Sequence, residues 1–242
     1  MTILSIDLAY KRYADFGVVA VSHVSKGLRC EFLPSPDWSS QPEPERLAAW
    51  AVDVAEGLRA SCIMLDGPQA WKDPNNGVVH SRLCERELNA PAKTGLPGYV
   101  KPRNYLPFVT FSIEVFSCLD RFGWPRLNTY SQAEDAALRL PCVIESLPLA
   151  AWRALRLPIL PAKRKARKED LADRLARLQT LYPLDLTMQT PSHDQLQALV
   201  SGLGAADYIF GNRKRSVVAG VPPRIVEGVP REGYILSPSR QT

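Results

Sequence analysis

"ILSIDLAYKR" (Ile3–Arg12) sets an aspartate inside an apolar run. Ile3, Leu4, Ile6 and Leu8 read as a strand buried on both faces. Asp7 breaks that reading, because a carboxylate taken out of water is costly unless something compensates its charge. "IDLAY" offers neither a helix cap nor a tight turn to account for it.

Reading outward from this strand, "FGVVAVSHV" (Phe16–Val24) and "LRCEFLP" (Leu28–Pro34) form a hairpin. Leu47, Trp50, Ala51, Val54 and Leu58 then recur at helical spacing from Pro44 onward. "SCIMLDGP" (Ser61–Pro68) is a second buried strand that ends in an acid, Asp66, before a Gly-Pro stop. From Gln69 to Pro107 the pattern is irregular, with one helix at Ser81–Leu88, so this stretch reads as an insertion or lid. A helix follows at Phe108–Phe122, and "PCVIESLP" (Pro141–Pro148) is a third buried strand, interrupted by Glu145. "AKRKARKEDLADRLARLQTLY" (Ala162–Tyr182) begins basic and becomes an amphipathic helix. The last helix, Pro191–Phe210, opens on Ser192–His193–Asp194, and "RIVEGVPREGYILSP" closes the chain as a short hairpin.

Composition narrows the class. The 242 residues are 45% hydrophobic and 23% charged, which suits one folded domain spanning 1–242. A net charge of +5 tilts the choice of partner toward an anion such as nucleic acid. Five scattered cysteines without a CxxC argue against a disulfide framework or a zinc site and for a reducing, cytoplasmic setting. No run reaches the roughly 20 apolar residues of a membrane helix, and the opening has no signal-peptide pattern.

Asp7, Asp66 and Glu145 all lie where a strand meets a loop, the edge at which open α/β sheets bind ligands. Asp194 opens a helix. Clustered carboxylates repel one another, and a hard divalent cation, Mg²⁺ or Mn²⁺, offsets that cost. Two such ions roughly 4 Å apart can hold a phosphodiester in line for hydrolysis. Three of the four acids also have an ordinary structural reading: Asp194 as an N-cap, Asp66 as turn chemistry, Glu145 as the partner of a buried arginine.

"SIDLA", "MLDGP" (Met64–Pro68), "SRLCERE" (Ser81–Glu87), "VIESLPLAAW" (Val143–Trp152), "HDQLQALVSGLGA" (His193–Ala205) and "EGYILSP" (Glu232–Pro238), in that order, resemble a family within the ribonuclease H-like superfamily to which nuclease activity is ascribed from its fold. The resemblance runs over nearly the whole chain. It implies an α/β fold with a mixed five-stranded sheet flanked by helices, the insertion at about 69–107 and the C-terminal hairpin. It also implies metal-dependent hydrolysis of nucleic acid, with Asp7 bridging the ions and Asp66, Glu145 and Asp194 completing the set. Some relatives carry a second acid three residues into the last helix, where this chain has Gln197.

The basic segments supply candidates for phosphate contact. Lys11 and Arg12 follow Asp7 closely, and Lys163 and Lys165 lie in "AKRKARK" (Ala162–Lys168), which reads equally as a solvated loop. Arg213–Lys214–Arg215 is a weaker cluster of the same kind. Two functions follow: a metal-dependent nuclease, or a catalytically inactive module of the same fold that binds nucleic acid or a protein. A phosphotransferase of the actin-like branch ranks behind both, because no glycine-rich phosphate loop is present.

Overall fold

The structure is a computed structural model and describes residues 1–129, 140–187, 190–211 and 213–239, without the side chain of Lys214. Its strands are β1 (Thr2–Asp7), β2 (Gly17–Val24), β3 (Gly27–Phe32), β4 (Ala60–Asp66), β5 (Lys93–Thr94), β6 (Val100–Lys101), β7 (Cys142–Ser146), β8 (Leu184–Leu186), β9 (Ser216–Val226) and β10 (Val229–Pro238). The helices are α1 (Pro44–Gly57), α2 (Leu83–Glu87), α3 (Leu106–Arg121), α4 (Pro148–Ala154), α5 (Lys168–Leu181) and α6 (His193–Ile209).

Eight strands form one mixed sheet in the order β8-β3-β2-β1-β4-β7-β10-β9. The five strands β3-β2-β1-β4-β7 occupy its middle, but the sheet is wider than the five-stranded one anticipated. β8 pairs with β3 at one edge, and the β9–β10 hairpin adds two strands at the other. That hairpin is also longer than its sequence suggested, because β9 begins at Ser216 and runs through Pro222 and Pro223. Two prolines look like a strand terminator, yet β9 is an edge strand, where a missing N–H costs no ladder bond. Its turn, Glu227–Gly228, has positive φ at both residues (52° and 74°), as a type I′ hairpin requires.

The sheet is covered on both sides. On one face, Ile3, Cys62, Met64 and Ile144 pack against α6, α4 and α5 through Leu199, Trp152 and Leu178. On the other, Leu4, Ile6, Ile63, Leu65 and Val143 pack against α1 and α3 through Leu47, Ala51, Val115 and Leu119. A strand buried on both faces needs a continuous apolar run, which is why β1, β4 and β7 showed no alternation. All five cysteines are buried and free. Among the described residues, no helix is long and apolar enough to cross a membrane.

The stretch after β4 is ordered and tied to the last strand. The Trp71 N–H donates to the Pro230 carbonyl (3.0 Å) and the Glu232 N–H to the Trp71 carbonyl (2.7 Å). The buried Glu232 carboxylate accepts from the Asp73 N–H (2.7 Å), the Asn76 side-chain amide (2.7 Å) and the Leu83 N–H (2.9 Å). Trp71 and Val100 then share a small apolar cluster with Val109 and Ile113 of α3.

Candidate functional site

β1 and β4 are parallel neighbours in register Ile6↔Leu65, so Asp7 and Asp66 end their strands side by side. Asp7 alternates with Ile3 and Ser5 toward the α6 face, where the Ser5 hydroxyl donates to the Ala198 carbonyl at 2.7 Å. The two carboxyls share a hydrogen bond. Burial raises Asp7 well above the ordinary carboxyl range, and the nearby charges of Asp66 and Asp194 push it further up. Burial also lifts Asp66 from 3.8 to about 7, while the proton donated by Asp7 works in the opposite direction. Both shifts favour a proton kept between the two carboxyls.

Asp194 reaches this pair because of a glycine. Gly17 is the register partner of Asp7 on β2, and a β-carbon there would stand 2.0 Å from the Asp194 carbonyl oxygen. Without it, the first turn of α6 lies directly on the sheet. The cap of α6 is Ser192, not Asp194: its hydroxyl accepts from the Gln195 N–H (3.2 Å), and the Gln195 side chain accepts from the Ser192 N–H (2.9 Å). Asp194 is thus free to face Asp7. It is also held by Lys163, which bridges to Asp15 (2.9 Å), and by His193 Nδ1 (3.1 Å).

Glu145 is placed differently. Its register partner is Leu65, so strand alternation turns it toward the α1–α3 face, away from Asp7. There Arg82 grips it with two hydrogen bonds, 2.7 and 2.6 Å, and the Gln69 N–H adds a third at 2.9 Å. Arg82 is 1% exposed and also donates to Glu85 (3.0 Å), so one guanidinium serves two buried carboxylates. Burial still raises Glu145 above its ordinary value, though Arg82 opposes that. The alternative of a buried arginine partner for Glu145 is the arrangement found.

The basic candidates divide as well. Lys11 lines an open cleft of about 400 Å³ with Asp15, Asp66 and Tyr105. Arg12 is spent on Asp15, at 2.8 and 3.0 Å. Lys163 faces Asp194 and Asp15, whereas Lys165 is exposed and has no ion-pair partner among the described residues. In the Arg213–Lys214–Arg215 cluster the Lys214 side chain lies outside the described residues. Gln197, where a second acid was awaited, accepts the indole N–H of the fully buried Trp152 at 2.7 Å.

Among the described residues, no group of three or more His, Cys, Asp or Glu side chains is arranged to hold a metal ion. The donor chemistry at Asp7 and Asp66 nevertheless fits one hard cation, since two adjacent half-buried carboxyls offer oxygen ligands to an ion that displaces their proton. The arrangement does not present a two-ion shell, because Lys163 neutralises Asp194 and Arg82 neutralises Glu145. Sequence reasoning passed over Gly17, whose only signal was a glycine opening a β-branched strand. Arg82 entered that reading only as part of "SRLCERE", one of the stretches that carry the family resemblance.

No family model matches this chain, and no curated protein matches it. Among solved structures, the chain is similar to RuvC of Thermus thermophilus at 15% identity and a TM-score of 0.40, covering 82% of this chain and 89% of that one. It is similar also to T. thermophilus RuvC in complex with a Holliday junction substrate, at 14% identity and a TM-score of 0.41, covering 88% and 97%. Similarities of that size establish neither family nor activity.

Proposed function

We propose that the chain is a metal-dependent nuclease of the ribonuclease H-like kind, hydrolysing phosphodiester bonds at the cleft beside Asp66. The supporting observation is the Asp7–Asp66 pair: two half-buried carboxyls at the carboxyl ends of adjacent parallel strands, hydrogen-bonded to each other, with Asp66 opening onto a cleft that Lys11 also lines. Asp7 and Asp66 would hold one Mg²⁺ or Mn²⁺, which supplies Lewis-acid neutralisation of phosphate charge. Asp194 raises the negative potential beside the pair. Lys163 holds Asp194 in place and sets its orientation. Glu145 does not approach the ion directly; with Arg82 it fixes the strand end that carries Asp66. Lys11 and Lys165 contact the backbone of the nucleic acid.

The test is cleavage of labelled single- and double-stranded oligonucleotides with Mg²⁺, Mn²⁺ or EDTA. Activity should need the metal, and Asp7→Asn should abolish it while leaving the melting temperature as high or higher, since the variant removes a buried, repelled carboxyl. Cleavage by Asp7→Asn at the wild-type rate would falsify the reading.

A second reading, a catalytically inactive module that binds nucleic acid or a protein, is favoured by two observations. Lys163 already neutralises Asp194, and Gln197 is committed to Trp152. Calorimetry separates the two, because no heat at millimolar Mn²⁺ selects the inactive module.

A further inference from the structure

The insertion encloses a groove of about 960 Å³ between residues 79–80 and 95–103. Tyr99 is 73% exposed on its rim, although the loop that carries it is ordered. The Gly95 N–H donates to the Tyr99 carbonyl (2.8 Å), the Tyr99 N–H to the Leu96 carbonyl (2.8 Å), and the next residue, Val100, is anchored in the Trp71 cluster. A large ring held outward by a fixed backbone is a surface kept for contact. Lys101 and Arg103 flank it, both exposed, and among the described residues neither has an ion-pair partner and no acidic side chain lines the groove. A single turn of chain separates the groove from the cleft beside Asp66. The 3₁₀ turn Arg103–Tyr105 joins them: Arg103 lines the groove, and Asn104 and Tyr105 line the cleft.

We infer that this groove binds an unpaired segment of nucleic acid, with bases stacked on Tyr99 and Tyr105 and phosphates at Lys101 and Arg103, and leads it toward Asp66. Exposed rings accept bases only where these are unstacked and accessible, and cations without neighbouring acids match a phosphate backbone. A duplex keeps its base faces covered and meets only the charges. The inference names the substrate class for the nuclease proposed above and rests on that reading only for what happens after binding.

The experiment is fluorescence anisotropy of a labelled 20-nucleotide single strand, as DNA and as RNA, and of the matching blunt duplex. It is run in EDTA so that no metal chemistry intervenes. A single strand of at least one kind should bind more tightly than the duplex. Tyr99→Ala and Tyr105→Ala should each weaken it about tenfold. Replacing Lys101 and Arg103 by Ala should lower the salt slope by about one per residue. These side chains are exposed, so melting temperatures should match the wild type. Equal affinity for duplex and single strand, or unchanged binding by both tyrosine variants, overturns the inference. Binding with these dependences but no cleavage on adding Mn²⁺ supports it and retires the nuclease reading. Cleavage by a protein whose tyrosine variants bind unchanged does the reverse.

Discussion

Asp7 and Asp66 share one proton across two parallel strands, and that proton makes stability depend on pH. The folded value of Asp66, about 7, lies above its ordinary 3.8 because burial disfavours the charge. The native state therefore binds more protons than the unfolded chain between those two values, so this pair's contribution to stability falls as pH rises through that window, and the fall continues above it because Asp7 too is raised well above its ordinary value. Urea unfolding in EDTA at a series of pH values should show this decline, and Asp66→Asn should flatten it. An identical slope in the variant would mean that no proton is shared. The acids themselves were legible in the sequence, because Asp7, Asp66 and Glu145 each interrupt or end an apolar strand. What separates Glu145 from the others was also present in the register: it falls on the same face as Val143, and Val143 packs against α1 and α3. Its partner Arg82 was not legible, since 63 residues separate the two and only the folded insertion brings them together.

At the scale of elements, the close contact of α6 on β2 decides whether Asp194 belongs to the site. Gly17→Ala forces a β-carbon against the Asp194 backbone, which cannot yield as a flexible side chain would. The variant should lose about 1–3 kcal/mol in chemical denaturation. It should also lose cleavage under conditions where it remains folded, because Asp194 is pushed away from Asp7. Gly57→Ala, at the end of α1 with open space around it, is the matched control and should be neutral or stabilising by up to about 1 kcal/mol. Equal costs at the two glycines would show that the close approach is not what holds α6. Helices and buried strands were readable from hydrophobic period, and α1, α3 and α6 fall within a few residues of their sequence reading. β8 was missed because three residues carry no period, and the start of β9 because its prolines are tolerated only at an edge that the sequence does not mark.

For the molecule as a whole, Arg82 joins the stretch after β4 to the sheet. It lies within a carboxylate pair, Glu85 from α2 and Glu145 from β7, all three nearly inaccessible to water. Removing the cation strands two buried charges, so Arg82→Met should cost about 3–5 kcal/mol. Adding Glu145→Gln should recover part of that loss, since one uncompensated charge then disappears. A thermal melt of the single and double variants checks both statements, and a loss below about 1 kcal/mol in Arg82→Met would mean that the ion network carries no weight.

Glu232 gives the assembly a direction in time. The strand that carries it is the last of the sheet to leave the ribosome, yet its carboxylate fastens Asp73, Asn76 and Leu83, which were synthesised some 150 residues earlier. A nascent chain that has not yet reached this strand can pair β1 with β4 and bring Asp7 to Asp66, but the wall beside them stays undocked. Competence of the cleft is thus deferred until this strand has been made, and a product terminated before it carries the acids without the surface that would bring them a strand.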